Sequence, residues 1–101
     1  MTIKEINNQD ELEEIITNND KVVMMVYSDH CGFCKKFKPV FEDLANKYDN
    51  DYTFVKTSGS TKLVNNVRGV PTTLFIDNEE VVDVVVGAKK VDLAAKLKNY
   101  R

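Results

Sequence analysis

The chain is poor in the residues that would staple it, load it with metal or hold it in a lipid bilayer. It has two cysteines, Cys31 and Cys34, and one histidine, His30. One disulfide across a two-residue gap cannot serve as a scaffold, and a chain of 101 residues is large enough to build one core without it. A zinc site asks for four ligands, and without a second cysteine pair this sequence offers only the pair, one imidazole and carboxylates. No apolar run approaches the roughly 18 residues of a membrane span, and the N-terminus carries no secretory apolar region. An excess of base is also missing. Lys plus Arg is 14 against 16 Asp plus Glu, a net charge of −2, which argues against nucleic acid as a partner. No repeat, low-complexity tract or linker is visible, so residues 1–101 are expected to form one domain. The expected compartment is the reducing cytoplasm.

What is present is concentrated around Cys31-Gly32-Phe33-Cys34. The pair follows the apolar run 22–27, Val22-Val23-Met24-Met25-Val26-Tyr27, which reads as a buried strand. It precedes a segment in which Phe33, Phe37, Val40, Phe41, Leu44, Ala45 and Tyr48 keep helical spacing. Two thiols at a strand-to-helix junction form a redox pattern, because unpaired amides at a helix start favour an anion, and a thiolate is one. On this reading Cys31 is the nucleophile at the helix start and Cys34, one turn deeper, is the resolving thiol. Gly32 allows a tight turn and close approach by a partner. Phe33 is an exposed residue or an apolar contact for substrate. His30 is a proton shuttle beside the nucleophile or a solvated side chain. Lys35, Lys36 and Lys38 read as a solvated helix face, with Lys38 and Glu42 an (i, i+4) pair.

Elsewhere, Asn8 and Glu11 form a capping-box variant ahead of a helix whose stripe is Leu12, Ile15 and Ile16. Tyr52–Lys56 reads as a strand. Ser60 is expected to cap a short helix through Leu63, Val64 and Val67, ended by Gly69. Thr72–Ile76 and Val81–Val86 form an antiparallel hairpin across Asp77-Asn78-Glu79-Glu80, and Leu93, Ala94, Leu97 and Tyr100 mark a last helix. The alternation predicts an α/β fold with a central mixed β-sheet flanked by helices on both faces.

This order, with Cys-Gly-Phe-Cys after the second strand, resembles the thioredoxin family over the whole chain. Pro39 stands where the family carries a helix-kinking proline. Arg68-Gly69-Val70-Pro71-Thr72 matches its cis-proline segment, Lys56 a lysine near the end of the third strand, and Gly87-Ala88 a turn bordering the substrate groove. The resemblance implies a cis bond before Pro71 and a substrate groove formed by Gly69, Val70, Gly87 and Ala88. The sequence departs from the family where His30 replaces a tryptophan, Phe33 a proline, Met25 a buried aspartate and Glu79 a turn glycine, and where the connection from Lys56 to Arg68 is shorter. The implied function is reduction of protein disulfides through a Cys31/Cys34 dithiol–disulfide cycle, linked to electron transport and cell redox homeostasis. No metal or organic cofactor is implied. The implied partners are disulfide-containing proteins and a flavoprotein thioredoxin reductase or other thiol reductant, with no membrane or nucleic acid, for a monomer. The alternatives are a glutaredoxin-like enzyme using glutathione and a thioredoxin-fold binding subunit.

Overall fold

The second strand decides the architecture. In the computed structural model, which describes residues 3–64 and 67–101, β2 (Lys21–Tyr27) is buried along all five interior positions. A strand apolar on both faces needs cover on both. Val23 and Met25 pack into one core cluster with Phe37, Phe41, Leu44, Leu93 and Leu97. Val22, Met24 and Val26 pack into another with Ile6, Leu12, Val55, Leu74 and Ile76. The remaining elements are β1 (Lys4–Glu5), α1 (Gln9–Asn18), α2 (Gly32–Lys47), β3 (Thr53–Ser58), β4 (Thr72–Asp77), β5 (Glu80–Val86) and α3 (Lys90–Tyr100). The strands form one mixed sheet in the order β1-β3-β2-β4-β5. β1 and β2 run parallel to β3, and β4 runs antiparallel to β2 and β5. Helices α2 and α3 cover one face and α1 the other, as the alternation of strands and helices requires.

Local chemistry sets the ends of these elements. Asn8 Oδ1 accepts the Glu11 N–H at 2.9 Å, and the Glu11 carboxylate accepts the Asn7 N–H at 2.8 Å, so the capping box closes one residue earlier than the standard pattern. Pro39 lies inside α2, where it removes one backbone donor. Tyr52 donates its hydroxyl to Leu97 O at 2.5 Å, satisfying a carbonyl that the last turn of α3 leaves without an intrahelical donor. The hairpin turns on two residues, Asn78 and Glu79, both left-handed at φ 49° and 70°.

The expected helix across Ser60–Gly69 is replaced by a single 3-10 turn, Gly59–Thr61. Ser58, rather than Ser60, supplies the cap. Its hydroxyl accepts the Ser60 N–H at 3.3 Å, and Lys62 then turns left-handed at φ 54°. A local side-chain bond and a left-handed residue end the helix at its first turn. Leu63, Val64, Val67 and Val70 pack against the α1-side cluster from non-helical positions. Asn65 and Asn66 lie outside the described residues.

Candidate active site

Cys31 closes the N-terminus of α2 with its own side chain. It is the N-cap residue, extended at φ −102°, and its Sγ accepts the Cys34 N–H at 3.2 Å. The same sulfur lies 3.6 Å from Val70 O, within reach of the thiol hydrogen. When Cys31 is ionised, its donors are the Cys34 thiol and the Cys34 and Phe33 amides. The thiol bond from Cys34, with help from the Cys34 and Phe33 amides and against the cost of burial, holds Cys31 below the ordinary thiol range. Burial is the main influence on Cys34, which is 4% exposed, and the bond it gives to Cys31 adds to it; both push its proton affinity up. One helix turn thus makes two chemically unequal thiols, one half-exposed and easily ionised, the other buried and protonated.

The other expected site residues divide into those gathered here and those that are not. The Val70–Pro71 bond is cis, and the chain from Gly69 to Pro71 passes beside Cys31. Gly69 O accepts the Thr72 hydroxyl at 2.6 Å, and Gly87 N–H donates to Pro71 O at 2.8 Å, so the turn bearing Gly87 and Ala88 is tied to the same segment. Gly87 sits at φ 95°, where a side chain would be strained. A Cβ on Gly32 would meet nothing within 4 Å, so the fold itself does not demand glycine there. Phe33 is 69% exposed on the first turn of α2. His30 is exposed, and it is its backbone N–H that is bonded, to Ser28 Oγ at 3.2 Å.

Lys56 lies beside the buried thiol, with an acidic partner, Glu5, that sequence reasoning missed. A cavity of about 270 Å³ beside Cys34 is lined by Met25, Tyr27, Asp29, Lys35, Lys38 and Lys56, among others. Glu5, on the edge strand, stands 4.0 Å from Lys56 Nζ and accepts the Tyr27 hydroxyl at 2.8 Å with both oxygens. Burial and this carboxylate push Tyr27 up to about 12, so it remains a donor. The parallel register explains the meeting: Glu5 pairs with Lys56, and Lys56 with Met25, so the three share one row of the sheet. Two-residue β1 carries too little periodicity to announce that row. Lys38 faces this cavity instead of closing on Glu42. Among the described residues only Lys56–Glu5 and Lys96–Asp83 approach within 4.0 Å as ion pairs.

A mixed sheet that presents a helix-capping thiol over a buried second thiol defines a thiol–disulfide oxidoreductase. The comparisons with known proteins make the assignment specific. The thioredoxin family profile matches residues 3–99. A thioredoxin of Mycoplasmoides gallisepticum is 33% identical over 89 residues, 84% of this chain and 88% of that protein. A reduced thioredoxin of Schistosoma mansoni superposes with a TM-score of 0.88 at 30% identity, covering all of both chains. A thioredoxin of Plasmodium falciparum does so with a TM-score of 0.89 at 25% identity, covering 98% of this chain and 100% of the other. The chain belongs to the thioredoxin family and is a protein-disulfide reductase. Among the described residues no helix is long and apolar enough to cross a membrane.

Proposed function

We propose that the protein reduces disulfides of other proteins with Cys31 as nucleophile and Cys34 as resolving thiol. The inequality of the two thiols supports this division most directly. The Cys31 thiolate attacks one sulfur of the substrate disulfide. A Cys31–substrate bond forms, the substrate S–S bond breaks, and the second substrate sulfur leaves as a thiolate and takes a proton. Cys34 then gives up its proton and attacks Cys31 Sγ. The Cys31–Cys34 disulfide forms, the Cys31–substrate bond breaks, the first substrate sulfur leaves as a thiolate and takes a proton, and two electrons have passed to the substrate. Val70 and Pro71, with Gly69, Gly87 and Ala88, offer backbone to an extended substrate strand beside Cys31, and Phe33 offers an exposed ring. His30 and Lys56 belong to the rim of the site and to the Cys34 cavity, respectively. A thioredoxin reductase returns the dithiol, in the cytoplasm, to a monomeric protein that works in electron transport and redox homeostasis with a transient disulfide of its own.

The test is turnover of a protein disulfide such as insulin with two recycling systems. With NADPH and a thioredoxin reductase, turnover is expected and requires Cys31. Turnover only with glutathione and glutathione reductase would make the protein a glutaredoxin-like enzyme. Turnover with neither would make it a binding subunit.

A further inference from the structure

The charge on this protein is segregated. β1, β2 and β3 end, β4 begins and β5 ends at the end of the sheet where Cys31 sits. Three segments meet there: 28–38, 59–71 and 87–92. Together they hold seven Lys and Arg against two carboxylates, Asp29 and Asp92, a net of +5 in a chain whose total is −2. The rest of the chain therefore carries −7. Helix α1 alone has four carboxylates and no cation. Asp10 and Glu11 open α1 at the same end of the sheet, on its β1 side and separated from β2 by β3, and the Glu11 carboxylate is engaged by the Asn7 N–H.

The cations form a collar. Lys35 and Lys36 stand near the start of α2. Lys62 and Arg68 line a cavity with Gly69 and Val70, whose carbonyl touches Cys31. Lys89 and Lys90 follow Gly87, which is bonded to Pro71. All six are exposed, and none has a carboxylate within 4.0 Å among the described residues. Such a grouping repels itself and gains from an anionic partner. The remainder of the chain, at a net −7, disfavours an acidic partner on balance, most of all on α1. Screening confines both effects to about 8–10 Å, so the collar acts as the surfaces meet and sets their orientation.

We propose that this collar selects disulfides embedded in acidic polypeptide, with Asp and Glu flanking the target cysteines. The inference rests on the reductase reading and names the substrate class of that site. The test uses two disulfide-looped peptides identical except for flanks of Asp/Glu or of Lys/Arg, with kcat/KM measured on the full chain at 20 mM and 500 mM salt. The acidic peptide is expected to be preferred about tenfold at low salt, with the preference collapsing toward unity at high salt. Reversing two charges, Lys36→Glu with Lys89→Glu, should erase or invert the ratio, and Lys36→Arg with Lys89→Arg should keep it. A ratio near one at low salt, or one that the double reversal leaves unmoved, overturns the proposal while leaving the reductase intact. Failure to reduce either peptide at any salt overturns the reductase reading and this proposal with it.

Discussion

Placing a carboxylate at position 25 should change how Cys34 loses its proton. Met25 is 2% exposed, sits on the α2 face of β2 and lines the cavity beside Cys34 and Lys56. A thioether accepts no proton. The resolving step therefore waits on a thiol held by burial above its ordinary value of 9.0. At pH 7 such a thiol is ionised in fewer than about 1 molecule in 100, and that fraction grows about tenfold per pH unit. In Met25→Asp the new carboxylate, its own affinity for protons raised by burial, can take the Cys34 proton near neutrality. The fraction just given leaves room for an acceleration of about 100-fold or more at pH 7, and the gap should close as pH approaches the Cys34 value. The cost is stability, about 3 kcal/mol for the lost apolar burial and the buried carboxyl. Stopped-flow decay of a preformed Cys31 mixed disulfide, followed from pH 6 to 9 for both proteins, reads this directly. The wild type should climb about tenfold per unit while the variant stays flatter. Identical rates and slopes would refute the reasoning and leave Met25 as packing alone.

Three further outcomes test other parts of the fold and chemistry. Glu79 at φ 70° carries a left-handed cost of about 1–2 kcal/mol, offset in Glu79→Gly by about 0.4–1 kcal/mol of unfolded-state entropy. Glu79→Gly should therefore raise stability by about 0.5–1 kcal/mol despite losing a 3.2 Å surface contact with Thr17, a melting-point gain of several degrees by calorimetry. Asp83 accepts Lys96 at 2.6 Å and Tyr100 at 2.8 Å, and the lysine bond, ahead of the tyrosine, holds it below its ordinary 3.8. A carboxylate so lowered stabilises the fold above pH 3.8 and loses that contribution as pH falls through its folded value. Denaturation curves of Asp83→Asn should thus be flatter between pH 4 and 2 than those of the wild type. Alkylation of the reduced protein should label Cys31 first, with an inflection below pH 9.0, while Cys34 reacts only at higher pH or on unfolding; equal reactivity of the two thiols would contradict their assigned environments.

The sequence was legible wherever one segment carries its own pattern. β2 announces itself as a run apolar on both faces. α2 shows itself by spacing, and its start by Cys31, since the thiol is both the redox group and the cap. The hairpin was readable from two β-rich runs around a short polar joint, although Glu79 is a poor occupant of its left-handed site. Features that depend on two distant segments were not legible. Glu5 meets Lys56 only through the register of a two-residue edge strand, so the partner of Lys56 was invisible until that strand was placed. The segment after Ser58 has apolar residues at helical spacing, yet a Ser58 side-chain bond and left-handed Lys62 stop it after one turn. Lys38 and Glu42 have the right spacing for an ion pair, but their charged ends do not come within 4.0 Å, and spacing alone does not fix the rotamers of two long exposed side chains. Patterning reports what one element wants, and tertiary packing decides between equal wants.

The central claim is the division of labour between the two cysteines, and trapping tests it most directly. Cys34→Ser, mixed with a disulfide substrate, should attack once and hold the substrate as a mixed disulfide, with the adduct mass located on Cys31 by peptide mapping. Cys31→Ser should form no adduct at neutral pH. An adduct on Cys34 in the Cys31→Ser protein, formed as fast as the one on Cys31, would contradict the account, because the burial that holds Cys34 protonated would then be no barrier to its reaction.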